Sequence, residues 1–132
     1  MLVRVKPALD PEREQLVERT IGCALRVHQA LGPGYVEAVY HDALAIELHE
    51  HGLPFKREFA VPVFYRGRLL RLHRIDLVVA DTVIVEVKAV ERLEPIHQAQ
   101  VVSYLKASGL RVALLVNFNT PVLKLALRRI VL

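Results

Sequence analysis

Apolar positions along this chain change their spacing after two N-terminal helical segments, and beyond that point strands predominate, interrupted by one further helix. Between Pro11 and Leu31, the residues Val17, Ile21, Ala24, His28 and Leu31 recur at steps of three and four, while Glu12, Arg19 and Arg26 fall on the opposite face. The spacing predicts one amphipathic helix, stopped by Gly32-Pro33-Gly34 because glycine suits a C-cap and proline cannot continue the helix. A second helix is expected from about Tyr35 to His51, closed by Gly52, with Val36, Tyr40, Ala43, Leu44 and Leu48 facing inward. Two helices joined by so short a turn make a hairpin.

The period then drops from 3.6 to 2. Phe59 to Tyr65 reads as a strand, with Pro62 marking it as an edge because proline cannot donate to a ladder. Arg66-Gly67-Arg68 supplies a turn, Leu69 to Val79 a second strand, and Thr82 to Val90 a third beyond the tip at Ala80-Asp81. Pro95 suits the first position of a third helix, which Gly109 ends, and Arg111 to Phe118 is a further, very apolar strand. The step from third strand through helix to fourth strand has the length of a βαβ crossover, so those two strands are expected to be parallel. The tail, Leu123 to Leu132, fits a short helix or an edge strand equally. The fold class is therefore α/β: a helix hairpin, a three-stranded antiparallel meander, a crossover helix and a parallel strand, giving a mixed sheet flanked by helices.

Composition narrows the picture modestly. The chain has 132 residues, enough for one core and too few for two. A hydrophobic share of 53% is generous and suggests apolar surface buried against a partner, of which a homodimer is the simplest. No apolar stretch approaches the roughly 20 residues of a membrane span, and the first seven residues do not make a secretory signal, so a soluble, cytoplasmic protein is expected. The lone Cys23 shares a helical stripe with Leu16, Thr20 and Val27 and reads as a small core residue. A net charge of +4 favours polyanionic partners, but no Lys/Arg run exceeds two. The sequence carries no zinc finger, helix-turn-helix or aromatic-rich platform for nucleic acid.

Chemistry concentrates on the second and third strands. Side chains alternate across a strand, so Glu86 and Lys88 share a face, with valines on the other. Asp76 is the one acid in the apolar run around Ile75 and Leu77. If Val79 pairs with Val83 across a three-residue tip, Asp76 falls opposite Glu86; a two-residue tip would put the two acids on opposite faces. Unpaired carboxylates in a dry site cost several kcal/mol or more, so a cation must answer them. Lys88 answers one, and oxygen donors with room for water suit Mg²⁺ or Mn²⁺ for the rest. On the strands alone, a plain Asp/Glu/Lys ion-pair cluster accounts for the pattern equally well. Glu37 shares a helical face with Tyr40 and Leu44, and Gln100 shares one with Tyr104 and Ile96. His28 reads as a hydrogen-bonded core histidine and His97 as a residue exposed near a helix start.

The run Val27-His28-Gln29-Ala30-Leu31-Gly32-Pro33-Gly34-Tyr35-Val36-Glu37-Ala38-Val39-Tyr40 resembles the signature of the GxxExxY family, assigned to the PD-(D/E)XK nuclease-like superfamily. The resemblance continues through Asp76-Leu77, Glu86-Val87-Lys88, Gln100 to Leu105 and Asn117-Phe118-Asn119, from about Glu14 to Ile130. It implies a restriction-endonuclease-like core in one domain over residues 1–132. It also implies roles: Asp76 and Glu86 as metal-binding acids with the carbonyl of Val87, Lys88 as the lysine of the E-x-K triplet, and Glu37 as the helical glutamate completing the site. Gln100, Tyr104 and Tyr40 would position substrate. The superfamily's Pro-Asp pair stands here as Ile75-Asp76. The expected function is Mg²⁺-dependent hydrolysis of phosphodiester bonds, in DNA before RNA. The alternatives are a non-catalytic nucleic-acid- or protein-binding module and a small-molecule hydrolase using the same metal.

Overall fold

The computed structural model describes residues 9–132, so the N-terminal stretch read as lacking a secretory signal lies outside the described residues. Helix α1 spans Pro11–Leu31 and α2 Glu37–Glu50; β1 spans Phe55–Tyr65, β2 Arg68–Val79 and β3 Val83–Lys88. Helix α3 is Pro95–Ser108 and β4 Val112–Asn117. The tail takes both of its expected forms in turn, a 3₁₀ turn at Leu123–Ala126 and then strand β5, Leu127–Val131.

The five strands form one sheet in the order β1-β2-β3-β4-β5. β1 is an edge, as Pro62 requires, and β3 and β4 are parallel while the other pairs are antiparallel. This is a restriction-endonuclease-like arrangement, a mixed sheet flanked by helices. One apolar cluster joins the sheet to α1 and α2 through Val17, Val27, Leu44, Leu77, Val85 and Leu114. A second lies beneath α3 and includes Val61, Ile75, Ile84, Tyr104 and Leu115. Cys23 is fully buried in the first cluster, and His28 satisfies its ring through Nε2 and the Thr120 carbonyl at 2.6 Å.

Three expected boundaries move by two residues or more, the first being β3, which ends at Lys88 rather than Val90. α2 begins at Glu37, because Val36 is its extended N-cap, and Val36 is exposed rather than inward-facing. β1 begins at Phe55, ahead of Lys56-Arg57-Glu58, whose charges conceal the strand pattern while pointing largely to solvent.

The pleat of the β1–β2 hairpin breaks near its base. Two residues apart on a regular strand share a face, yet Leu77 packs into the α1/α2 cluster and Ile75 into the α3 cluster. On β1, Phe55 packs with the first cluster and Phe59 with the second. Both strands flip at the same level: pairing runs through Arg57↔Leu77 and Phe59↔Ile75, and Glu58 and Asp76 are left out of it. Glu58 takes a left-handed backbone, φ 52°, at about 1–3 kcal/mol for a non-glycine residue. The irregularity turns Asp76 out of the ladder.

Candidate active site

The tip between β2 and β3 has three residues, Ala80-Asp81-Thr82, closed by the Thr82 amide on the Val79 carbonyl at 2.9 Å. Val79 therefore pairs with Val83, and the register runs through Val78↔Ile84 to Leu77↔Val85. One step further the backbone ladder stops at the two acids. Asp76 N–H donates to Glu86 Oε1 at 3.0 Å, and Val87 N–H donates to Asp76 Oδ2 at 2.8 Å. Each carboxylate thus replaces a ladder partner on the opposing strand and spends one oxygen doing so. Glu86 Oε2 lies 3.9 Å from Lys88 Nζ, and Asp76 Oδ1 accepts no hydrogen bond among the described residues.

The electrostatics follow from burial. Glu86 is 3% exposed. Its carboxyl is pushed up to about 7, first by burial and then by the charge on Asp76, against the opposing pull of the Asp76 amide and Lys88. Asp76 is also raised, chiefly by burial, with the Val87 amide pulling the other way. Glu37, at the solvent-facing start of α2, is raised by partial burial against the groove and by Asp76. Three acids that hinder one another's ionisation and share one lysine form a site short of positive charge.

Lys88 is held at the strand end. Its ammonium donates to Gln100 Oε1 at 3.4 Å, and its carbonyl accepts from Phe118 N–H at 2.9 Å. Asn117, buried at the end of β4, grips both the N–H and the carbonyl of Val90 at 3.0 and 2.9 Å. Tyr104 is nearly buried on α3, its ring 5.6 Å from that of His73. Burial and the charges of Glu86 and Asp76 push its hydroxyl up to about 12, so it keeps its proton and stays a hydrogen-bond donor.

Tyr40, expected among the substrate-positioning residues, sits in the core behind the turn that leads into α2. It is fully buried, its hydroxyl donates to the Gly32 carbonyl at 2.5 Å, and its ring stacks on Phe118 at 4.7 Å. The hydroxyl also accepts from Tyr35 N–H at 3.2 Å. Tyr40 thus fixes the turn that carries Glu37 from within the core, so any positioning by it acts through that turn. His97 completes a capping box with Glu94 rather than standing free.

Two further residues at the site escaped the sequence reading. His41, Glu58 and Asp76 offer ligand atoms within 4.8 Å of one another, and a groove of about 360 Å³ is lined by Glu37, His41, Glu58 and Asp76. Arg57 donates to His41 Nδ1 at 2.7 Å. Because guanidinium nitrogens only donate, that nitrogen must accept, and Nε2–H then donates to the Asp76 carbonyl at 3.1 Å. With both nitrogens engaged, His41 positions the Asp76 backbone, and ligation by it would require breaking one of these bonds. Of the three converging groups, the carboxylates of Asp76 and Glu58 supply hard oxygen donors, whose chemistry fits a divalent cation. A larger groove, about 700 Å³ beside α3, is lined by Pro95, Ser103 and Arg128 and contains none of these acids.

A mixed sheet that sets two acids and a lysine where an antiparallel hairpin splays is a restriction-endonuclease-like architecture. The chain belongs to the PD-(D/E)XK nuclease superfamily, whose family model matches residues 14–130. Neither a curated protein nor a solved structure matches it. Family membership implies nuclease chemistry dependent on a divalent metal, with nucleic acid as substrate. No helix among the described residues is long and apolar enough to cross a membrane.

Proposed function

We propose that this chain, as one domain over residues 1–132 and within the GxxExxY branch, is a Mg²⁺-dependent nuclease that hydrolyses phosphodiester bonds of DNA. It would work in the cytoplasm as a homodimer, with exposed apolar side chains such as Ile46 and Leu125 available to a second copy. The observation that carries the reading is the reciprocal capping of Asp76 and Glu86, which orients both acids through the backbone and leaves one oxygen of each uncommitted.

Asp76, Glu86 and the carbonyl of Val87 would hold the ion, with Glu37 contributing directly or through water. An ion held there would supply positive charge against the scissile phosphate and bring the pKa of a coordinated water toward neutrality. Lys88, steered by Gln100, orients the attacking water and offsets its developing negative charge. Tyr104 keeps its proton and can donate it in a hydrogen bond to a phosphate oxygen. His41 keeps the Asp76 backbone in place through its carbonyl.

The test is cleavage of labelled duplex, single-stranded and branched DNA with Mg²⁺ or Mn²⁺ by wild type, Glu86→Gln and Asp76→Asn. Each variant should lose roughly a hundredfold or more in rate, about 3 kcal/mol in the barrier, with its circular dichroism unchanged. Wild-type rates in both variants would reject these two acids as the metal site, and no cleavage by wild type on any of the substrates would leave a non-catalytic binding module.

A further inference from the structure

Four of the chain's eighteen Lys/Arg stand in one short acid-free segment, apart from five spread over the longer acid-free stretch 95–132. Between Phe59 and Ile75 there are four arginines, Arg66, Arg68, Arg71 and Arg74, and no acid; the remainder balances fourteen Lys/Arg against fourteen Asp/Glu. The segment is the outer part of the β1–β2 hairpin, and from Phe64 to Arg74 every residue is exposed. None of the four arginines has a salt-bridge partner among the described residues. Arg71 and Arg74 lie three apart in a regular stretch of ladder, so positive charge stands on both faces of the ribbon. Phe64, Tyr65, Leu69, Leu70 and Leu72 are interleaved with them and are also exposed.

We propose that this arm is a duplex-docking ribbon that lies in the major groove of B-form DNA and leads the strand to Asp76. Self-association explains the apolar side chains but not the charge. A two-fold interface sets a patch against its own copy, which would bring the arginines of both arms together with no acid to answer them. A polyanion answers them from both sides, and a two-stranded ribbon fits a major groove about 12 Å wide. The reach also fits: from Asp76 to the turn at Gly67 is nine residues of strand, about 30 Å at 3.3 Å each, close to one turn of duplex. Arg74, two residues from Asp76, marks where the ribbon meets the site.

The proposal rests on the nuclease reading for its purpose, and binding without metal tests it separately. A fluorescein-labelled DNA duplex of about 20 base pairs, two helical turns, is titrated by anisotropy in EDTA across a salt series. Combined Arg66→Ala, Arg68→Ala, Arg71→Ala and Arg74→Ala should weaken binding roughly tenfold or more. The slope of log affinity on log salt should flatten by about 0.9 for each phosphate that the variant no longer neutralises. Arg92→Ala, Lys106→Ala, Lys124→Ala and Arg128→Ala, removing as many exposed charges elsewhere, should change binding little. An arm variant that binds like wild type, a control set that weakens binding equally, or an RNA duplex bound as tightly would overturn the proposal. So would a wild-type dimer, seen by sedimentation, that Leu70→Ser with Leu72→Ser dissolves without affecting DNA binding. Arm-dependent binding without cleavage in Mg²⁺ would keep the arm and reject the nuclease; cleavage lost in Glu86→Gln but unaffected by the arm variant would do the reverse.

Discussion

The two ends of the β1–β2 hairpin are made by the same strands and serve opposite purposes. At the base, Ile75, Leu77, Val78 and Val79 are buried and the chain is pinned from both sides of the sheet. At the tip, Phe64, Leu70 and Leu72 are about 60% exposed and arginines replace the acids. The border is the Glu58–Asp76 level, where the pleat flips and the ladder is interrupted. Rigid packing on one side of that border is what lets a buried acid be held against its desolvation cost. Openness on the other side is what a nucleic acid needs to approach.

Substitutions should therefore separate the two ends by their cost. Leu77→Ala, at the base, should lower unfolding stability by about 2–5 kcal/mol through reduced burial and the cavity left behind. A denaturation midpoint close to wild type would show that the base is not packed as described.

The next effect is a pH dependence centred on the border. Glu86 has a folded-state pKa of about 7 against an ordinary 4.5, so the folded protein binds that proton more tightly than the unfolded chain. Its contribution is fully present below about pH 4.5 and is lost as pH rises through 7, and the raised Asp76 and Glu37 act in the same direction. Metal-free wild type should lose up to about 3 kcal/mol across that range from Glu86, and Glu86→Gln should flatten the curve. Parallel curves for the two proteins, measured by urea unfolding in EDTA, would remove Glu86 from the account.

The smallest effect belongs to the tip. Leu72→Ala should alter stability by no more than about 0.5 kcal/mol, as surface changes do. A loss of about 2 kcal/mol or more, the size of a core truncation, would mean that something covers the arm.

Much of this was legible in the sequence because glycine and proline punctuate it and apolar alternation marks its strands. The three-residue tip, once observed, brings Asp76 and Glu86 together as its parity demands. Glu58 was hidden because Lys56-Arg57-Glu58 breaks the alternation, and a left-handed glutamate has no sequence signature. His41 was within reach, since it stands four residues after Glu37 and so on the same helical face, but its role depends on Arg57, which the fold brings in from β1. The arm escaped because its arginines alternate with leucines instead of forming a run. Periodicity assigns residues to faces; it does not say whether anything packs on them.

The measurement closest to the central claim is a calorimetric titration of Mn²⁺ into wild type, Glu86→Gln and Asp76→Asn. Stoichiometric binding by wild type that disappears in both variants is the predicted result. Absence of binding by wild type at millimolar metal, or binding that survives both substitutions, would contradict the claim that these two acids hold the ion.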